Sequence, residues 1–316
     1  MAEDRSPGST RLGPAERAAA DAVDPATVLD DLLALCAIPS VTGSETAARD
    51  HLARLLSTAG LDVRAWDADP TTLAADSAFP GMEVARTTLP LVAGTLRGSR
   101  PGRRLLLVAH TDVVPPGDPT TWTTPAFAPD IRAGRVFGRG ACDMKSGLVA
   151  ALAAIRAVSN AVGPSGLAGE VVLVGVPSEE DGGAGTFAAI RAGYVGDAAV
   201  IPEPTRLEIV TVAAGAITFR LTVPGRAAHA STRREGVSAL DNLELLHAAL
   251  RADEAARNAA ETRPEMRALG LPMPRSSGPS VVATGRRASR TGWSPRAATA
   301  FGRARRRPRQ RWSCAG

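Results

Sequence analysis

Five acids and one histidine stand out by type and position: His110, Asp112, Asp143, Glu179, Glu180 and Glu203. His110 and Asp112 form a His-x-Asp at the end of a short apolar run, RLLLVAH (104–110). A metal-bound imidazole usually donates its other N–H to a carboxylate, which fixes the tautomer and raises ligand basicity. Side chains two apart on a strand share a face, so Asp112 is placed to do this for His110. Asp143 lies in a glycine-punctuated loop just before a helix, where an N-cap is the plainer role. Glu179 and Glu180, in VPSEEDGG, close a second apolar run. A solvated turn explains such a pair, but neighbours on extended backbone point apart. One carboxylate could then bind a metal while the other faces a water as general base. Glu203, between prolines in IPEP, closes a third run. Imidazole and carboxylates without thiolate suit zinc, cobalt or manganese. An aspartate shared by two ions makes a pair that activates water and polarises a carbonyl.

The elements that must deliver these groups are legible as alternating runs. ATVLDDLLALCAI (26–38) has helical apolar spacing and stops before Pro39. Thr42 and Glu45 have capping-box spacing ahead of the amphipathic ETAARDHLARLLSTAG, which Gly60 ends. LDVRAW, RLLLVAH, EVVLVGVPS and AAVIPEP read as strands, and GLVAALAAIRAVSN as a helix. Alternation of this kind predicts an α/β fold, with a mostly parallel sheet flanked by helices. Sites in such sheets form beyond the carboxyl ends of strands, where the polar residues above fall. From about residue 213 the pattern changes to an alternating strand pair, AAGAITFRLTVPGRAAHAS, followed by the helix VSALDNLELLHAALRADEAARNAAE. A small α+β domain is expected there.

Composition narrows the classes further. The 316 residues are 44% apolar and 22% charged, which excludes global disorder. No uncharged apolar stretch nears the roughly 18 residues of a membrane span. Residues 1–25 read as a polar, disordered leader without a signal-peptide core. Cys36, Cys142 and Cys314 lack CxxC spacing, so a disulfide scaffold is not expected and a cytoplasmic location is. The formal charge of +5 is local: residues 285–316 hold ten arginines and no acid, and the remainder carries 27 basic against 32 acidic residues. Clustered arginine binds nucleic acid through counterion release. A second explanation is preferred. Lys145 is the sole lysine beside 36 arginines, a bias of GC-rich coding DNA, and such DNA read out of frame yields this Arg-, Pro- and Ala-rich composition. The chain is therefore expected to leave its proper frame near Gly285.

The ordered set VAHTDVVPPGD, GRGACDMKSGLVAAL, VPSEEDGGAGT and IPEPT resembles the M20 family of metallopeptidases and amidohydrolases, over roughly residues 26–284. The resemblance implies a zinc exopeptidase-like catalytic domain (26–212) with an inserted lid and dimerisation domain (213–284). It implies two zinc ions, with cobalt or manganese as substitutes. His110 and Glu203 would hold one ion, Glu180 the other, and Asp143 would bridge them. Asp112 would orient His110, and Glu179 would be the general base, with a cis peptide after Asp143. VPGRAAHAS resembles the lid segment whose histidine steadies the substrate oxyanion, a role that falls to His229. His51 and His247 read as structural, and Cys142 as a small filler.

The pattern fails at one place. The family's chain returns after the lid to finish the sheet and supplies a late histidine to the second zinc, but no histidine follows His247. The second site is then incomplete and the hydrolase impaired. The implied reaction is cleavage of an amide bond in an N-acyl amino acid or small peptide, by a homodimer formed through the lid and without membrane or nucleic-acid partners. The alternative is a non-catalytic remnant whose arginine-rich segment binds nucleic acid.

Overall fold

The structure, a computed structural model, describes residues 12–211, 218–268 and 298–303. They divide into two units, the first ending at Glu208 and the second starting at Ile209. The first unit opens with α1 (Pro14–Asp21), α2 (Pro25–Cys36) and α3 (Thr46–Thr58). It continues through β1 (Asp62–Ala68), α4 (Pro70–Ala74), β2 (Leu89–Arg97) and β3 (Arg100–His110). After a small hairpin, β4 (Asp130–Arg132) and β5 (Arg135–Phe137), come α5 (Lys145–Gly166), β6 (Ala168–Val176), α6 (Ala184–Arg191) and β7 (Ala198–Val200).

Five strands make one sheet, ordered β1-β2-β6-β3-β7. The α/β sheet flanked by helices is present, and its pairing is mixed. β3 runs parallel to β6 and β7, while β2 runs antiparallel to β1 and β6. The cause is the chain reversal at Gly98–Ser99, which turns β3 against β2, after which β6 enters between them. At that crossing the backbones nearly touch: a Cβ on Gly169 would lie 1.9 Å from the Arg103 carbonyl oxygen, and one on Gly98 would lie 2.5 Å from that of Leu167. Only glycine fits such an approach.

Period-two alternation sorts the strand side chains into two cores. Val92, Leu107, Ala109 and Leu173 face α2, α3 and α5, meeting Leu35, Leu52, Leu56, Leu148 and Leu152. Leu91, Leu106, Val172 and Val174 face the opposite way, onto Ala184, Ala188 and Ala189 of α6. Both faces are covered, which is why β3 and β6 read as continuous apolar runs. Lys145–Gly163 of α5 is long and apolar enough to cross a membrane. Core helices share that property, and here Leu148, Leu152 and Ile155 are buried while Arg156 pairs with Asp31 at 2.5 Å.

Two local expectations are corrected. Residues 14–21 are helical rather than part of a disordered leader. Pro14 presets the first turn, and the Glu16 carboxylate accepts from the Gly13 N–H at 2.6 Å. Thr42 and Glu45 do not form a capping box. The Thr42 hydroxyl donates to Asp112 at 3.1 Å, and Glu45 accepts from the Gly43 N–H at 2.8 Å and from Arg86. Long-range partners took both side chains.

The second unit contains β8 (Thr218–Val223), α7 (Ala239–Ala260), α8 (Pro264–Ala268) and β9 (Ala298–Arg303), with β8 and β9 antiparallel. Ser238 caps α7, its hydroxyl accepting from the Asp241 N–H at 3.1 Å. Of the arginine-rich segment 285–316, β9 alone is described. The rest of that expectation lies outside the described residues.

Candidate metal centre

His110 is the last residue of β3 and is 1% exposed. Its Nδ1 lies 2.8 Å from the main-chain oxygen of Asp112, and its Nε2 lies 3.1 Å from Asp143 Oδ1. Glu203 Oε1 is 3.9 Å and Glu179 Oε2 4.0 Å from the same nitrogen. One donor atom each from His110, Asp143 and Glu203 falls within 4.8 Å of the others. These residues arrive from three segments. β3 carries His110, the loop before α5 carries Asp143, and the loop after β7 carries Glu203. The Asp143–Met144 peptide is cis.

Gly147, in the first turn of α5, brings two of these segments together. A Cβ there would lie 2.0 Å from the Pro202 carbonyl oxygen, one residue before Glu203. Gly185 does the same at the start of α6, where a Cβ would lie 2.0 Å from the Pro177 carbonyl oxygen. Both loops therefore dock directly on helix backbone.

Asp112 is fully buried, and its carboxylate is used differently from the expectation. It stands 3.6 Å from His110 Nδ1, whose hydrogen-bonding partner is the Asp112 main-chain oxygen. The carboxylate instead accepts from the backbone N–H of Glu179 at 3.2 Å, the N–H of Glu180 at 3.1 Å and the Thr42 hydroxyl at 3.1 Å. Charge-assisted bonds of this kind are stronger than neutral ones. Asp112 thus orients the imidazole through its backbone and anchors the two glutamates through its side chain.

The electrostatics of the cluster suit a cation. Burial and the neighbouring Asp143 and Glu179 push the Glu203 carboxyl up to about 7, with His110 acting in the opposite sense. Burial, followed by Asp143, raises that of Glu180. Burial of His110 disfavours its charged form, but Asp112, Glu179, Glu203 and Asp143 together raise its pKa. These shifts mark a site where negative groups crowd one another. The donor set fits a zinc-like ion: donors about 2.0–2.2 Å from zinc stand at most about 4.4 Å apart across it. The two Nε2 distances already fall inside that span.

A pH dependence follows. Glu203, raised from 4.5 to about 7, keeps a proton in the metal-free fold that the unfolded chain has released. Its contribution to stability is full below 4.5 and is lost as pH rises through about 7. His110, also raised, loses its contribution above its ordinary 6.5. Protein treated with chelator is expected to melt at a lower temperature at about pH 7.5 than at about pH 5.5, from these two groups. Cobalt or zinc, replacing the protons, should raise the midpoint more at the higher pH. Thermal scans with and without metal check this, and equal shifts at both pH values would contradict it.

The other candidates belong to other elements. His229 belongs to the second unit, caps the 3-10 segment Ala230–Glu235, and accepts from the Ser231 N–H at 3.2 Å. His51 is on α3 and His247 on α7. Cys142 is exposed rather than a buried filler, and Cys36 is the buried thiol, raised to about 11 by burial. Sequence reasoning passed over Lys145, which is 1% exposed and donates to the Leu35 and Ile38 carbonyls at 2.9 and 3.0 Å. Burial lowers it to about 8. Its standing as the sole lysine was the available signal. Arg86 and Asp181 were also missed, with no motif to mark them.

Comparison with known proteins matches residues 106–295 to the model of peptidase family M20/M25/M40. Succinyl-diaminopimelate desuccinylase of Methylorubrum extorquens (strain PA1) is 32% identical over 232 residues, covering 70% of this chain and 56% of that relative. Succinyl-diaminopimelate desuccinylase 2 of Ruegeria sp. (strain TM1040) is 33% identical over 218 residues, covering 66% and 49%. The chain spans about half the length of the curated relatives it matches. Among solved structures, the di-peptidase Dug1p of Saccharomyces cerevisiae superposes with a TM-score of 0.59 at 17% identity, over 91% of this chain and 71% of that one. Human carnosine dipeptidase 1 gives 0.54 at 16%, over 92% and 72%. At these identities the likeness is one of fold.

Proposed function

The chain belongs to peptidase family M20/M25/M40, and we propose that it is a zinc-dependent hydrolase of the amide bond in an N-acyl amino acid or small peptide. The observation that carries this reading is the meeting of His110, Asp143 and Glu203 within 4.8 Å from three separate segments. On this reading His110, Asp143 and Glu203 would hold one ion, and Glu180 with Asp143 would hold a second. When bound, such a pair polarises an acyl carbonyl and lowers the pKa of water from about 15.7 to about 7. The protein's own groups do the rest. Glu179, half-exposed and held by its backbone on Asp112, takes the proton of the attacking water and returns it to the departing amine.

The substrate class rests on the relatives. Two are named for removing a succinyl group, and two structural neighbours are named dipeptidases. Deacylation is the first choice and peptide cleavage the second. On this reading residues 26–212 are the catalytic domain and 213–284 a lid through which two copies pair. Free Cys36 and Cys142 suit a reducing, cytoplasmic compartment.

The test is release of free amine from a panel of N-succinyl and N-acetyl amino acids and dipeptides, with zinc or cobalt and with chelator. Metal-dependent release is the expected result. The arginines of 285–316 favour a second reading as a non-catalytic nucleic-acid binder. No release under any metal, together with salt-sensitive nucleic-acid binding lost on deleting 285–316, would support it instead.

A further inference from the structure

A buried ion triad holds the turn that carries Glu179 and Glu180. The Arg86 side chain is 4% exposed and reaches Glu45 Oε1 at 2.8 Å and Asp181 Oδ2 at 2.9 Å. The acids are as deeply placed, with side chains 2% and 5% exposed. The three residues come from the start of α3, the loop between α4 and β2, and the turn after β6. Backbone bonds reinforce the joint. The Val84 N–H donates to Asp181 Oδ2 at 2.9 Å and the Glu83 N–H to the Asp181 carbonyl at 3.2 Å. The turn itself is awkward: Ser178 has φ 64°, in the left-handed region, and its hydroxyl bonds Asp181.

We infer that Arg86 is a positioning residue: by clamping Asp181 to Glu45 it fixes the turn that carries Glu179 and Glu180 toward the metal centre. Two anchors are needed because a turn held at one point can still rotate. Asp112 holds the Glu179 and Glu180 amides from the β3 side. Arg86 holds the following residue from the other side. A stability role explains the triad poorly. Two carboxylates and one guanidinium leave a net negative charge inside the protein, and buried ion pairs are often matched or exceeded by apolar packing of similar volume. The planar fork of arginine, which can engage two acids at once, supplies direction instead. The inference rests on the proposed metal centre for its purpose, though the clamp is testable without it.

The experiment compares the full chain with Arg86→Met and with the neutral triple variant Glu45→Gln/Arg86→Met/Asp181→Asn. Three readouts are taken: cobalt affinity by titration calorimetry, amide exchange at Glu179 and Glu180, and the melting midpoint. Arg86→Met is expected to weaken cobalt binding about 10–100-fold, as loss of an outer-shell partner does. Exchange at the two glutamate amides should quicken, while that at Leu173 and Val174 in β6 stays unchanged. The triple variant leaves no unpaired buried charge, so its midpoint should recover while affinity and amide protection do not. If Arg86→Met does not fold, the triple variant decides. Wild-type affinity and wild-type protection in either folded variant would overturn the clamp. Failure of the unsubstituted chain to bind cobalt would instead overturn the metal reading, and the exchange data would still judge the clamp.

Discussion

Asp143→Ala is expected to abolish divalent-metal binding. Asp143 is the acid nearest His110 Nε2, at 3.1 Å, and it acts on both Glu203 and Glu180. Glu179 also acts on both, but its carboxylate stands farther from Nε2, at 4.0 Å. Losing an outer-shell partner costs about 10–100-fold in affinity, so losing the shared ligand should cost more than about 100-fold. Asp143 is more than half exposed, with 55% of its side chain accessible, so the truncation should leave the fold intact. A second signature accompanies the loss. Asp143 raises the carboxyl pKa of Glu203 and of Glu180, and both should fall back toward the usual range without it. Calorimetric titration with cobalt and carboxyl titration by NMR measure the two effects. Retained affinity would remove Asp143 from the centre.

Glu179→Gln is expected to separate binding from chemistry. Its carboxylate stands 4.0 Å from His110 Nε2, while its backbone N–H stays on Asp112. The amide keeps the size and the backbone anchor but cannot accept a proton from water. General acid–base groups contribute about 10²–10⁴-fold, and the amine-release rate should drop by that amount. Metal affinity should stay within a few-fold of the unsubstituted chain, since Glu179 lies outside the group of three. The comparison is made with enzyme in excess over substrate, so that a single turnover is followed. An unchanged rate would assign the proton transfer to another group. A rate loss matched by lost metal would make Glu179 a ligand instead.

The site was legible because its residues sit where apolar runs stop. RLLLVAH, EVVLVGVPS and AAVIPEP end at His110, near Glu179 and near Glu203, and because β3 runs parallel to β6 and β7 those ends meet at one edge of the sheet. The direction of β2 was not legible. LPLVAGTLR carries no sign of whether it runs with or against β6, since that depends on the backbone crossing of Gly98 and Gly169. Short-range rules failed where a distant partner competed. Thr42 and Glu45 have the spacing of a cap, yet Asp112 and Arg86 claim them. Asp112 was expected to use its carboxylate on the histidine two residues away, but the amides of a turn 67 residues later take it. Arg86 had no motif around it, and only its burial between two acids identifies it.

The most direct measurement is a crystal of the full chain soaked with zinc, with anomalous data collected on both sides of the zinc absorption edge. The account predicts a peak within coordination distance, about 2.0–2.2 Å, of His110 Nε2 and of carboxylate oxygens of Asp143 and Glu203. A zinc-edge map with no peak there, while those three side chains remain ordered and together, would contradict it.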